Sequence, residues 1–237
     1  MTTKQEIRKK IWDLLEKKNI ARFPRPVYGR IPNFVGAQMA ARKMGELKEW
    51  KNASAIKANP DSPQKWVRRK ALKEGKVVYM AVPRLKKEKC FLQINPGEIE
   101  SEKAVTIKGA FTYGKEVFPW EMKEIDMLIV GSVAVNKNGA RVGKGGGYSD
   151  LEFAIGREIG IITKNTVVVT TVHPLQILDI EIPMEKHDVP VDYIVTPSSI
   201  IASHTTYKKP HGINWDILKK EQIEKIPILQ KLREYKK

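Results

Sequence analysis

The sequence predicts an α/β fold built on a mostly parallel sheet, and three observations carry that prediction. Short apolar runs rich in β-branched residues alternate with segments of helical periodicity, the pattern of strand–helix–strand units. A glycine-rich loop joins one of these apolar runs to a helix, the kind of junction at which α/β proteins hold anions. The 237 residues contain neither a repeat nor a low-complexity linker, so residues 1–237 are expected to form a single domain. The N-terminal helix and irregular segment of residues 1–50 are expected to pack on it.

Residues 3–18 read as an amphipathic helix, with Ile7, Ile11, Leu14 and Leu15 on one face and charges on the other. Phe23-Pro24-Arg25-Pro26 breaks it, since proline lacks an N–H and fixes φ, and the chain as far as Phe34 should be ordered but irregular. A second helix is expected over 35–49, a short buried strand over 54–57, a helix over 64–73 and a strand over 77–82. Phe91-Leu92-Gln93-Ile94 and Ala104-Val105-Thr106-Ile107 are both strand-like. Met127-Leu128-Ile129-Val130 resumes the sheet, and the glycine loop leads into a helix reaching about Ile162. Further strands are expected over 167–172 and 193–196, with Ile200-Ile201 as a last one and residues 215–223 as a closing helix.

Composition bounds the partners. A hydrophobic share of 41% and a charged share of 30% describe a soluble globular protein, and the longest apolar runs are too short for a bilayer. The N-terminus lacks the apolar stretch of a secretory signal, and the lone cysteine, Cys90, has no internal partner for a disulfide. A cytoplasmic monomer is therefore expected. The net charge of +16 attracts polyanions, yet the basic residues are scattered among acids and not interleaved with aromatics. Nucleic acid is thus a possible partner but not the favoured one. His173, His187, His204 and His211 have no zinc-like spacing.

Five of the twelve residues from Gly139 to Asp150 are glycine, in a chain with 16 glycines. Such a backbone can turn with positive φ and present bare N–H groups, while Arg141 and Lys144 add charge and the next helix adds its dipole. The loop ends Gly147-Tyr148-Ser149, which excludes a P-loop, and Tyr148 stands where a dinucleotide fingerprint needs a third glycine. Asp150 suits either a magnesium contact or a helix N-cap. Lys4 and Arg8, one helical turn apart, can face one anion.

The run Gly-x-Arg-Val-Gly-x-Gly-x-Gly-Tyr-x-Asp resembles the signature of the 5-formyltetrahydrofolate cyclo-ligase (methenyltetrahydrofolate synthetase) family. Lys4 with Arg8 is similar to the family's N-terminal pair. Gln176, Pro183, Asp188, Val191-Asp192 and Thr196 are similar to its C-terminal pattern. Phe23-Pro24-Arg25-Pro26, Arg30-Ile31-Pro32-Asn33-Phe34, Asn59-Pro60-Asp61, Gly131-Ser132-Val133-Ala134-Val135 and Lys225-Ile226-Pro227-Ile228-Leu229 resemble a divergent branch, the methenyltetrahydrofolate synthetase domain-containing proteins.

The resemblance implies a three-layer α/β/α fold like that of ribose-5-phosphate isomerases and CoA transferases. It also implies an ATP- and Mg2+-dependent ligase that turns 5-formyltetrahydrofolate into 5,10-methenyltetrahydrofolate, ADP and phosphate. Arg141 and Lys144 would be catalytic. Lys4, Arg8, Arg141, Gly143, Lys144, Gly145, Gly146, Gly147 and Asp150 would bind ATP, Asp150 would bind the metal, and Tyr148 and Asp61 would face the folate. The folate half departs further from the family pattern. Ser149 replaces a second tyrosine, Asn59-Pro60-Asp61 replaces the acidic residue after the first strand, and Phe118-Pro119-Trp120-Glu121 is the nearest text to Gly-Ile-x-Glu-Pro. Two alternatives stay open: a non-catalytic nucleotide- or RNA-binding module, and an ATP-dependent ligase of another small substrate.

Overall fold

The computed structural model describes residues 2–98 and 101–234. The chain opens with α1 (Lys4–Lys17), β1 (Ala21–Arg22), β2 (Asn33–Phe34), α2 (Ala37–Met44) and α3 (Lys48–Asn52). It continues through β3 (Ala55–Ala58), α4 (Lys65–Lys73), β4 (Val77–Ala81), β5 (Phe91–Ile94), α5 (Ser101–Ala104), α6 (Ile107–Tyr113) and β6 (Lys115–Val117). Next come β7 (Met127–Val130), β8 (Ala134–Asn136), β9 (Arg141–Val142), α7 (Tyr148–Glu158), β10 (Val167–Thr171) and β11 (Ile177–Leu178). β12 (Tyr193–Val195), β13 (Ile200–Ala202), α8 (Lys220–Lys225) and α9 (Pro227–Glu234) complete it.

Eight strands form the central sheet in the order β13-β12-β10-β7-β3-β4-β5-β6. The five from β12 to β4 run parallel, and β13, β5 and β6 close the sides antiparallel. Strands covered on both faces read as unbroken apolar runs, and the side-chain period of two divides each run between two layers. Leu128 and Val130 of β7, with Tyr79 of β4, pack towards Phe153 and Ile155 of α7 and Leu229 of α9. Met127 and Ile129, with Val78 and Met80, pack the other way, onto Met44, Trp50, Val67 and Leu72. The result is the expected mixed α/β architecture, a large and mostly parallel sheet with helices on both sides.

A smaller sheet, β11-β8-β9, stands beside the large one. Ile7, Ile11, Trp12 and Leu15 of α1 are buried on it, against Val133, Ala140 and Val142. Trp12 takes the buried place expected for Leu14, and its indole N–H donates to Arg30 O at 3.0 Å. Thr3 caps the helix through a reciprocal bond with Glu6.

The structure corrects four sequence expectations, each for a local reason. The helix expected over 35–49 is two helices, because the chain turns at Gly45 and buries Trp50, whose indole donates to Glu74 Oε2 at 2.6 Å. Ala104-Val105-Thr106-Ile107 is not a strand: Thr106 caps α6 by accepting from Gly109 N, and Val105 O takes the buried Arg68 guanidinium at 2.7–2.9 Å. α7 stops at Glu158, short of Ile162. The closing helix is a single 3-10 turn at Trp215–Ile217 followed by α8 and by α9, which begins at Pro227. No helix among the described residues is long and apolar enough to cross a membrane.

Candidate functional site

The site is built at the carboxyl ends of β3 and β7, where a parallel sheet opens towards ligands. β8 and β9 form a hairpin that returns the chain to this edge. At its tip, Gly139 has φ +85° and Val191 O lies 2.6 Å from where a Cβ would stand. Alanine there would meet both a left-handed backbone and a carbonyl oxygen. We expect Gly139→Ala to cost about 2 kcal/mol and lower Tm by roughly 4–8 °C in a thermal melt. An unchanged Tm would show that the tip relaxes freely.

Residues 143–147 then cross to α7. Gly145 (φ +102°) and Gly147 (φ +69°) adopt conformations that side chains resist. Gly147 is the N-cap residue and makes no side-chain cap bond to the first N–H groups of α7, and a helix start of that kind attracts anions. Asp150 is therefore not the cap. It lies in the first turn, where its Oδ1 accepts from Arg141 Nη2 at 2.5 Å and from Val189 N at 3.1 Å.

Arg141 is not on the open side of the loop. It is 4% exposed, with Nε donating to Val189 O at 3.1 Å and Nη1 to Gly131 O at 3.2 Å. A buried guanidinium needs such partners, and these hold the loop, β7 and Asp150 in one arrangement. Arg141, expected at the triphosphate, here bonds Asp150 directly.

The other expected cations do gather at the loop. Lys4 pairs with Asp188, whose Oδ2 also accepts from Glu185 N at 2.6 Å. Arg8 Nε donates to Gly143 O at 2.7 Å, and its guanidinium passes 3.5 Å from the Cβ position of Gly145. Burial lowers the Arg8 pKa, and Asp188 opposes that shift. Lys144 Nζ pairs with Asp61 Oδ1 at 2.7 Å.

A cleft of 1080 Å³ opens on one side of this loop. Gly146, Gly147, Tyr148, Asp150 and Asp188 line it, and Leu151, Ala154, Ile213 and Leu218 give it apolar walls. Residues 207–214 also line it, with Ile217, Gln222, Lys225 and Ile226. Tyr148 lines the cleft but Asp61 does not. Asp61 instead pairs with Lys144, and its Oδ2 lies 3.3 Å from the Cβ position of Gly131. Asp188, known from sequence only as part of a pattern, joins Asp150 at the cleft.

Beneath the loop lies a buried ion pair that sequence reasoning missed. Lys57 of β3 and Glu152 of α7 pair directly, and their side chains are 2% and 8% exposed. Lys57 also donates to Asn59 Oδ1 at 2.7 Å, and Asn59 Nδ2 to Ser149 Oγ at 3.2 Å. Burial pushes the Glu152 pKa up, Lys57 opposes the shift, and Asp61 and Asp150 add to it. The available signal was a lysine inside Ala55-Ile56-Lys57-Ala58, an otherwise apolar buried strand.

No group of three or more His, Cys, Asp or Glu among the described residues forms a metal cage. Two carboxylates at an anion-binding helix end still fit Mg2+, which commonly takes one or two carboxylates and completes its shell with phosphate oxygens and water. His173 has a structural place: its Nδ1 accepts from Leu175 N at 3.2 Å, and burial lowers its pKa.

Residues 1–197 match the 5-formyltetrahydrofolate cyclo-ligase family. The methenyltetrahydrofolate synthase domain-containing proteins of Homo sapiens and Danio rerio are each 40% identical over 236 residues, 98% of this chain and 61% and 62% of their own lengths. The chain therefore spans about three fifths of these curated relatives. A 5-formyltetrahydrofolate cyclo-ligase of Mycolicibacterium smegmatis is 34% identical over 83 residues, 33% of this chain and 39% of that protein. In fold, the chain is similar to the Aquifex aeolicus 5,10-methenyltetrahydrofolate synthetase, with a TM-score of 0.52 and 18% identity over 90% of this chain and 98% of that one. With more than four fifths of its length matched, the chain belongs to the 5-formyltetrahydrofolate cyclo-ligase family.

Proposed function

We propose that this protein is an ATP- and Mg2+-dependent ligase that converts 5-formyltetrahydrofolate to 5,10-methenyltetrahydrofolate. One observation carries the reading beyond family membership: the start of α7, without a side-chain cap, lines one cleft together with Asp150 and Asp188. The γ-phosphoryl group passes from ATP to the formyl oxygen, giving ADP. The second folate nitrogen then attacks the activated formyl carbon, and the C–O bond breaks to release phosphate.

This chemistry asks the protein for positioning and charge neutralisation more than for a nucleophile. The nucleotide occupies the cleft, with its phosphates against the N–H groups around Gly146, Gly147 and Tyr148 and beside the cations Arg8 and Lys144. Arg141 aims Asp150, and Lys4 with the Glu185 amide aims Asp188. Bound Mg2+ would be held by these two carboxylates and would neutralise charge on the phosphate oxygens. The folate lies beside Asp61.

The test is the absorbance of methenyltetrahydrofolate with ATP or Mg2+ supplied or withheld. Product is expected only with both present, and Asp150→Asn should lower kcat by about 100-fold. Wild-type protein that binds ATP yet forms no methenyl product would overturn the reading and assign the loop to another small substrate.

A further inference from the structure

Lys144 and Asp61 are expected to serve two different substrates, yet the structure joins them across 83 residues of sequence. The pair is lopsided. Lys144 has a side chain 45% exposed and sits between two glycines, whereas the Asp61 side chain is 13% exposed. The loop is pinned just before Lys144, where Gly143 O accepts from Arg8 Nε. Beyond it, Gly145 turns the backbone with a positive φ and carries no side chain.

Asp61 is held from behind. The guanidinium of Arg68, 1% exposed, donates to Asn59 O and to Asp61 O, the latter at 3.2 Å. Burial lowers the Arg68 pKa to about 10, while the Asp61 charge opposes the shift. When Lys144 leaves, the backbone around Asp61 thus stays in place with a cation still beside it. Gly131 allows the close approach on the other side, its Cβ position lying 3.3 Å from Asp61 Oδ2 and 2.9 Å from Ile31.

We propose that the Lys144–Asp61 ion pair is a latch between the two substrate sites: phosphate draws Lys144 away, and Asp61 then becomes an acceptor for an N–H-bearing edge of the second substrate. This rests on the function proposed above. A terminal phosphate carries more charge than one carboxylate, and Lys144 has the freedom to follow it. Nucleotide binding then favours binding of the second substrate, and by linkage the reverse holds equally.

Calorimetry with a non-hydrolysable β,γ-imido analogue of ATP, Mg2+ and 5-formyltetrahydrofolate tests this. In the wild type each ligand should tighten the other by about tenfold. Asp61→Asn should bind the analogue alone several-fold more tightly than wild type, because Lys144 no longer has to leave a carboxylate, and the coupling should fall to about unity. Lys144→Met should bind the analogue more weakly, with no further change on adding Asp61→Asn. An Asp61→Asn protein with unchanged or weaker nucleotide affinity, or with coupling intact, would overturn the latch. If both ligands bind the wild type and methenyl product forms without coupling, only the latch fails. If neither ligand binds, the ligase reading fails and the latch with it.

Discussion

An Arg141→Ala protein is expected to lose about 3–5 kcal/mol of stability, a fall in Tm of roughly 6–20 °C. The side chain is buried and ties β9 to Gly131, Val189 and Asp150. Its removal leaves two carbonyl oxygens short of a partner and a carboxylate without its countercharge. Arg141→Lys keeps the charge but cannot reproduce three diverging N–H directions, so it should rescue only part of the loss. A thermal melt measures both. A truncation cost below about 1 kcal/mol, with nucleotide affinity nonetheless lost, would return Arg141 to direct contact with phosphate.

The Lys57–Glu152 pair gives the second large effect. Lys57→Met should cost about 3–5 kcal/mol, because the Glu152 carboxylate then stays buried without its cation. The double variant Lys57→Met/Glu152→Leu should recover most of that loss, since an apolar pair of similar volume carries no desolvation penalty. The deficit of the single variant should depend on pH. Burial holds the folded pKa of Glu152 above its ordinary value of 4.5, so as pH rises the unfolded chain gives up the proton first. Stability is fully present below 4.5 and falls as pH climbs through the folded value. Without Lys57 that value rises further, so urea melts should show a larger deficit at pH 8 than at pH 4.5. A deficit independent of pH would mean that lost packing, and not charge, sets the cost.

What was legible in the sequence was local. β3, β4, β7 and β10 could be read because each is a short apolar run, and the glycine loop because positive φ demands glycine over a few adjacent positions. The parallel sheet followed from their alternation with helices. Local signals failed where short runs are ambiguous. Ala104-Val105-Thr106-Ile107 has strand-like composition, but Thr106 acts as a helix cap and Arg68 takes the carbonyl of Val105. Likewise, helical periodicity over 35–49 did not reveal the turn at Gly45 that buries Trp50.

The sequence by itself determined the mostly parallel α/β sheet and the glycine-rich loop with Arg141 and Lys144 in it, since the alternation of apolar runs with helices and the spacing of glycines carry both. Only the tertiary structure decided what each charge does. Lys57 meets Glu152 across 95 residues and Lys144 meets Asp61 across 83, while Arg141 turns inward. A charge taken out of water must find a partner wherever the packed chain supplies one, and no local pattern says where that will be.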